Sequence, residues 1–356
     1  MIPVTQPFLP PKSELYALLD EVYERNWLTN SGPLVNLLES EIPEFLNYNG
    51  HFSYVNNGTI ALQIAIKALE LKGEIITTPF SYVATTSSIA WEGCKAVFVD
   101  IEKGSCNIDP KKIEAAITPQ TSAILATHVY GNPCDVEAIA AIAKKHNLKV
   151  IYDAAHCFGT TYKGKSIFEY GDVSTTSFHA TKLFHTVEGG ALFTNNKDLA
   201  HKINYMRNFG HNGQEDFWGI GINGKNSEFH AAMGIANLKH ISTILRKRKA
   251  QWLLYRDQLC NHFNVLKLID EPGFNYAYFP VFFDAEEELL KKKKLLEENH
   301  IYCRRYFYPS LNTLKYVDEQ KKFDVSEVRS KVVLILPLYD KLSKKDQLLI
   351  IKKMLE

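Results

Sequence analysis

One lysine, Lys182, stands among small, hydroxylated and aromatic residues in DVSTTSFHATKLFHTVEGGALF, residues 172–193. Two readings compete: a surface lysine on a loop, or an amine held for covalent chemistry, most often a Schiff base with a carbonyl. Asp153 ends the apolar run VIYD. A carboxylate there either caps the next turn or pairs with a ring nitrogen and keeps it protonated. His156, three residues on, would then donate to a phenolic oxygen of the same ring. Lys182 lies 29 residues beyond Asp153, enough chain to leave a sheet edge and return to it.

VNNGTIAL, residues 55–62, reads as a strand ending near Val55 and a helix opened by Gly58 and Thr59. The free N–H groups and dipole of such a start favour an anion, phosphate above all. The plainer reading is that Asn57 or Thr59 caps the helix. Ser177, five residues before Lys182, is in reach of the same phosphate. Tyr82, in SYVAT, falls early in a helix just after a strand and is placed to stack on a planar ring. Each signal is soft alone. Together they supply a phosphate cradle, a stacking ring, an acid for a pyridine nitrogen, a donor for a phenolic oxygen and a lysine for an aldehyde. Those are the requirements of pyridoxal 5′-phosphate. His179 and His185, on either side of Lys182, have no part in that set and stand where a substrate would be read.

A scaffold must bring these residues together. From residue 52, runs rich in Val, Ile and Tyr (HFSYV, EIITTP, KAVFVDI, SAILATHVYG, LKVIYDAA) alternate with helical patterns (GTIALQIAIKALEL, YVATTSSIAWEG, DPKKIEAAI, CDVEAIAAIAKKHN). The alternation predicts an α/β fold, a mostly parallel sheet covered by helices on both faces, with ligands at the carboxyl ends of the strands. The first 45 or so residues read as two short helices around NWLTNSGPLV. Beyond residue 225, NSEFHAAMGIANLKHISTILRKRKAQWLLYRDQL has no proline and reads as one long helix leading to a smaller second domain. The expected domains are 1–245 and 246–356. In the smaller one NYAYFPVFF and KVVLILPL read as strands and AEEELLKKKKLLEENH as a helix. Glu287 and Glu288 precede Lys291 and Lys292 there by four residues, a favourable helical pairing.

The chain has 356 residues, 46% of them apolar, which suits a globular protein with more than one small core. Lys and Arg number 41 against 40 Asp and Glu, a net charge of +1 that gives no electrostatic case for binding nucleic acid or an acidic membrane. No uncharged apolar run reaches the roughly 18–20 residues of a membrane span. MIPVTQPFLPPKSEL lacks the pattern of a signal peptide, so a cytoplasmic protein is expected. The six cysteines include no CxxC pair and read as reduced thiols; no metal site is expected. No GxGxxG follows the first strand, which argues against a nicotinamide dehydrogenase.

In order along the chain, NWLTNSGPLV, NNGTIAL, PFSYVAT, YDAAHCFG, SFHATK with EGG, GINGKNSEFHAAMG and RRYFYPSL resemble the successive blocks of the DegT-type nucleotide-sugar aminotransferases. These are pyridoxal-phosphate enzymes of the aspartate-aminotransferase fold (fold type I), and the resemblance covers nearly the whole chain. It implies that Lys182 carries the cofactor as a Schiff base and that Asp153 pairs with the pyridine nitrogen. It places His156 at the phenolic oxygen, Tyr82 on the ring, and Gly58, Thr59 and Ser177 at the phosphate. Asn223 matches a residue that reaches the neighbouring subunit's phosphate, implying an obligate homodimer with shared active sites. Lys225 stands where the family often has arginine, and a lysine cannot make arginine's two-pronged contact. The family's dehydratase branch has histidine in place of Lys182, so the lysine implies amino transfer. The local wording is most similar to the branch that aminates a dTDP-linked 4-keto-6-deoxyglucose with L-glutamate as donor, and Asn30, His185 and Tyr308 are the residues expected to face the sugar. The alternatives are a 3-keto sugar or a UDP- or GDP-linked one, a β-eliminating lyase using Arg304 or Arg305, and a non-catalytic regulator that binds pyridoxal phosphate.

Overall fold

Successive residues of the central strands enter different cores. Ile76, Ile124, Ala126, Val150 and Tyr152 pack on one face of the sheet; Ile75, Ala123, Leu125, Ile151 and Val173 pack on the other. A strand buried on both faces shows no polar alternation, so these segments read as continuous apolar runs. The structure, a computed structural model, describes residues 1–317 and 321–356. Its first strands are β1 (His51–Val55), β2 (Glu74–Thr77), β3 (Lys95–Phe98), β4 (Thr121–Thr127) and β5 (Lys149–Asp153). A short hairpin of β6 (Thr161–Tyr162) and β7 (Lys165–Ser166) follows, then β8 (Val173–Ser177) and β9 (Gly190–Thr194). The seven-stranded sheet has the order β1-β9-β8-β5-β4-β2-β3. It is parallel from β3 to β8, and β9 runs antiparallel to both β8 and β1. The mostly parallel α/β sheet is thus the one the alternation predicts. The hydroxyl-rich β8 and the short β9 were not legible as strands, yet they flank the loop that carries Lys182.

The helices over the sheet are α1 (Lys12–Arg25), α2 (Pro33–Phe45), α3 (Gly58–Ala68), α4 (Val83–Trp91), the one-turn α5 (Pro110–Ile113), α6 (Val136–His146) and α7 (Lys197–Met206). Side-chain oxygens of Asn57, Asp135 and Asn196 accept the N–H groups of Ile60, Ala138 and Leu199 at 2.8, 3.0 and 2.9 Å and start α3, α6 and α7. Helix α2 has no such cap of its own. Buried Glu228 supplies it, accepting the N–H groups of Leu34 and Val35 at 2.8 Å each, a carboxylate at the positive end of the helix dipole.

After a hairpin of β10 (His211–Asn212) and β11 (Asp216–Phe217), the expected long helix is two helices, α8 (Glu228–Leu238) and α9 (Ile241–Leu259). Local propensity gives no reason to stop at Lys239; tertiary contacts do. The Asn237 side chain donates to the His185 carbonyl at 2.9 Å, and the His240 ring reaches Glu14 at 2.9 Å. Helix α9 then leaves one core for another. Ile241 and Ile244 belong to the sheet's core, whereas Trp252, Tyr255 and Leu259 belong to a second core. That second core is built on β12 (Asn264–Val265), β13 (Phe279–Phe282) and β14 (Val333–Leu336). Helices α10 (Glu286–Glu298), α11 (Ser326–Val332) and α12 (Lys344–Leu355) surround it. Of the two pairs expected on α10, Glu287–Lys291 closes at 2.8 Å, while Lys292 donates instead to the Lys353 carbonyl at 3.3 Å.

His128, just past β4, is wholly buried, stacked on Tyr152 at 4.5 Å, and its Nδ1 accepts the Cys134 N–H at 2.9 Å. Burial pushes its pKa down to about 3. A folded-state value below the unfolded one means that the stability is complete above about pH 6.5 and is lost as pH falls, by about 1.4 kcal/mol per unit. His128→Asn is therefore expected to flatten the fall in urea-unfolding free energy between pH 6.5 and 5 by about that slope. An unchanged slope would show that His128 does not stay neutral in the fold.

Candidate active site

The carboxyl ends of β4, β5 and β8 open on a cavity of about 260 Å³. Gly58, Thr59, Tyr82, Asp153, His156, Ser177 and Lys182 all line it. Asp153, the last residue of β5, is buried. Its Oδ2 accepts from Thr85 Oγ1 at 2.8 Å and its Oδ1 from the Ala155 N–H at 3.1 Å. The carboxylate caps a turn, as the plainer reading has it, and it also lines the cavity. Burial raises its pKa, against the opposing pull of Thr85, Ala155 and the Lys182 charge. Behind Thr85, Ser81 Oγ lies 2.7 Å from Thr85 Oγ1 and 2.9 Å from Thr127 Oγ1.

His156 Nδ1 accepts the Tyr130 N–H at 3.2 Å, so the ring's proton sits on Nε2, which lies 3.2 Å from Tyr306 Oη. Burial holds the imidazole neutral, well below its usual pKa. A neutral N–H donor on the cavity wall results. Asn57 does cap α3, as the plainer reading has it. The cap satisfies Ile60 and leaves the first-turn N–H groups of Gly58 and Thr59 without an intrahelical acceptor. Two close approaches hold that helix start against the strands. A Cβ on Gly58 would meet Ser177 Cβ at 3.0 Å, and one on Gly190 would meet the Asn57 carbonyl at 2.5 Å. Lys182 is half-buried on the loop between β8 and β9. Its N–H donates to the His179 carbonyl at 2.8 Å, and the loop's ends are tied by Phe178 N–H to Gly189 O at 2.7 Å.

Four sequence candidates lie off this cavity. His185 is buried; its Nε2 bonds the Phe8 carbonyl at 2.7 Å and its Nδ1 accepts the Val187 N–H at 3.2 Å. It anchors the lysine loop to the N-terminal segment, a packing role that corrects the expectation of sugar contact. Tyr308 is half-exposed under the Arg305 guanidinium at 3.5 Å, also outside the cavity. Asn30 and Asn223 are exposed, and Asn223 Oδ1 accepts from Lys225 Nζ at 2.6 Å. His179 sits at the cavity's edge, 3.5 Å from Glu188. Sequence reasoning misses Tyr306 and Phe307, which line the cavity together with Arg304, and the hydroxyls of Ser81, Thr85 and Thr127. RRYFYP carried an aromatic signal, but nothing local says that it folds back onto β5.

The donor set fits pyridoxal phosphate: two helix-start N–H groups with no intrahelical acceptor among the described residues, beside a hydroxyl, for a dianion, then a buried carboxylate, a neutral imidazole N–H and a primary amine, all lining one cavity. The profile of the DegT/DnrJ/EryC1/StrS aminotransferase family matches residues 11–355. The chain belongs to that family. This aminotransferase is therefore an enzyme, and pyridoxal phosphate is its cofactor. It is similar to the dTDP-4-amino-4,6-dideoxy-D-glucose transaminase of Shigella dysenteriae, 44% identical over 96% of this chain and 94% of that one. Among solved structures it superposes on DesI, crystallised with its TDP-sugar product, with TM-score 0.92 and 30% identity over 99% of this chain and 92% of that one. The aminotransferase also superposes on NtdA from Bacillus subtilis with bound cofactor PMP, with TM-score 0.90 and 28% identity over 97% and 81% of the two chains.

Proposed function

We propose that the enzyme transfers the amino group of L-glutamate to a nucleotide-linked keto-deoxy sugar, dTDP-4-keto-6-deoxyglucose, giving dTDP-4-amino-4,6-dideoxyglucose. The observation that carries amino transfer is that the Lys182 amine and the Asp153 carboxylate line one cavity. The choice of sugar leans on the relatives named above. Bound pyridoxal phosphate supplies a carbonyl for the amine and a sink for the electrons of the deprotonated α-carbon. Gly58, Thr59 and Ser177 would hold the phosphate, His156 Nε2 the phenolic oxygen, and Tyr82 the ring face. Asp153, fixed by Thr85 and the Ala155 N–H, would keep the pyridine nitrogen protonated. Lys182, once free, would take a proton from the donor's α-carbon and return it one atom away, then repeat this in reverse on the sugar. Two substrates visiting one site in turn give ping-pong kinetics.

The test uses the yellow holoenzyme. L-Glutamate should bleach it, and dTDP-4-keto-6-deoxyglucose should restore the colour, with the amino sugar identified by mass spectrometry against 3-keto, UDP- and GDP-linked sugars. Bleaching by glutamate with no keto sugar able to restore the colour would reject the reading.

The enzyme is also proposed to be a cytoplasmic homodimer; no helix among the described residues is long and apolar enough to cross a membrane. Phe217, Trp218, Ile220 and Ile222, next to Asn223, and Trp27 and Leu28, next to Asn30, are exposed apolar groups of the kind that mark an interface. Such an interface would carry Asn223 toward the neighbouring subunit's phosphate, as the family resemblance implies. Light scattering should give about twice the chain mass of 40.5 kDa; a monomer at micromolar concentration would overturn this.

A further inference from the structure

The start of α3 has backbone lying directly on backbone. A Cβ on Gly190 would stand 2.5 Å from the Asn57 carbonyl oxygen and 2.7 Å from the Gly58 nitrogen. Where the N–H groups of Gly58 and Thr59 stand therefore depends on how closely β9 is held against the end of β1. The β1–β9 ladder, however, stops at the Val55–Gly190 pair, and the two chains part there. One side chain from outside the sheet closes the gap. Asn226, just before α8, is 7% exposed. Its Nδ2 donates to Tyr54 Oη and to the Glu188 carbonyl, each at 2.9 Å, with the Val55 carbonyl at 3.5 Å. Its Oδ1 accepts the Ser227 N–H at 2.9 Å. An amide nitrogen has two protons, and both are spent on joining β1 to the exit of the lysine loop.

The neighbouring bonds reinforce this bridge. Tyr54 also bonds the Thr186 side chain, and Thr186 Oγ1 donates to the same Glu188 carbonyl at 2.8 Å. Tyr54 and Thr186 are buried, so the ring of bonds is shielded from water and its members strengthen one another. One step further along, the Asn56 N–H donates to the Gly224 carbonyl at 2.8 Å and its side chain to the Asn223 carbonyl at 3.1 Å. Residues 223–226 thus continue the sheet where β9 leaves it. Asn226 itself is not among the residues that line the cavity. What it does for the cofactor, it does through Glu188 and β1.

We propose that Asn226 is a positioning residue for the phosphate end of the cofactor site: it locks the exit of the lysine loop to the end of β1 and so sets where the Gly58 and Thr59 N–H groups stand. The inference rests on the reading of that helix start as the phosphate cradle. The rest of the site has other supports. Asp153 is fixed by Thr85 and the Ala155 N–H, and the lysine loop is tied by Phe178 N–H to Gly189 O at 2.7 Å and Thr186 N–H to Phe178 O at 2.9 Å. Loosening Asn226 therefore costs phosphate contact and spares the ring and aldehyde ends.

The holoenzyme is stripped and reloaded with pyridoxal phosphate or with pyridoxal, which has the ring and aldehyde but no phosphate, and the yellow absorbance gives each Kd. In Asn226→Ala the Kd for pyridoxal phosphate should rise roughly 10-fold, the worth of the two bonds lost, with the pyridoxal Kd changed less than about twofold. Tyr54→Phe, which keeps Asn226 and the shape of the core, should show the same selectivity with a rise of about threefold. Equal losses for both ligands, or a lower melting temperature with the ratio of the two Kd values unchanged, would make Asn226 a residue of the fold alone and overturn the proposal. An unchanged Kd for pyridoxal phosphate in both variants overturns it as well. If the wild-type enzyme binds pyridoxal as tightly as pyridoxal phosphate, the helix start is no phosphate cradle, and the proposal falls with that reading. None of these affinities depends on which donor or sugar the enzyme accepts.

Discussion

Replacing Lys182 with alanine is expected to slow amino transfer by at least about 10⁴-fold, the top of the range for a positioned acid–base group, because the same amine also provides the covalent tether. The enzyme should otherwise be intact. Lys182 is half-buried and makes no side-chain hydrogen bond among the described residues, and its loop is held by backbone bonds of Phe178, Thr186 and Gly189. A change in unfolding free energy within about 0.5 kcal/mol is expected, as for a surface substitution. The measurement is a single turnover of aminated enzyme with the keto sugar, read by mass spectrometry. Turnover within tenfold of wild type would remove Lys182 from the chemistry.

The second large effect is expected from Asp153→Asn. The amide keeps the shape and one acceptor for Ala155, so the cofactor should still bind. It cannot neutralise a protonated ring nitrogen, and the rate should fall by roughly 10²- to 10⁴-fold. Stability should move the other way. Burial holds the Asp153 pKa above its ordinary value. Its favourable contribution is thus present below the unfolded pKa and is lost as pH rises through the folded one. At neutral pH, cofactor-free Asp153→Asn should melt no lower than wild type. A variant with full activity, or one that melts markedly lower without cofactor, would show that this carboxylate serves the fold rather than the reaction.

The ends of β1 and β5, the start of α3 and the residues on them were legible because each is a local signal: an apolar run that stops at a polar residue, or Asn-Gly-Thr before a helical pattern. Their order along an alternating chain then implied convergence. Other features were hidden because they depend on distant partners. VSTTS does not read as a strand until the sheet buries it on both sides. Glu228 looks like an ordinary helix residue, yet it completes a helix start 194 residues earlier. The break at His240 follows from Glu14 and from two separate cores, not from any breaker residue. His185 misled for the same reason: its neighbour in sequence is Lys182, but its neighbour in space is the Phe8 carbonyl.

The three hydroxyls behind Asp153 carry a direction. An ionised carboxylate can only accept, so Thr85 must spend its single proton on Asp153, Ser81 must spend its own on Thr85, and Thr127 its own on Ser81. Every dipole in the row points the same way, and each one polarises the next. The negative charge at the ring-nitrogen end of the site is thereby shared with β4, two strands' worth of backbone away from the lysine. Protonating Asp153 would free the whole row to reverse at once, so the state of one carboxyl group is recorded in the orientation of three alcohols.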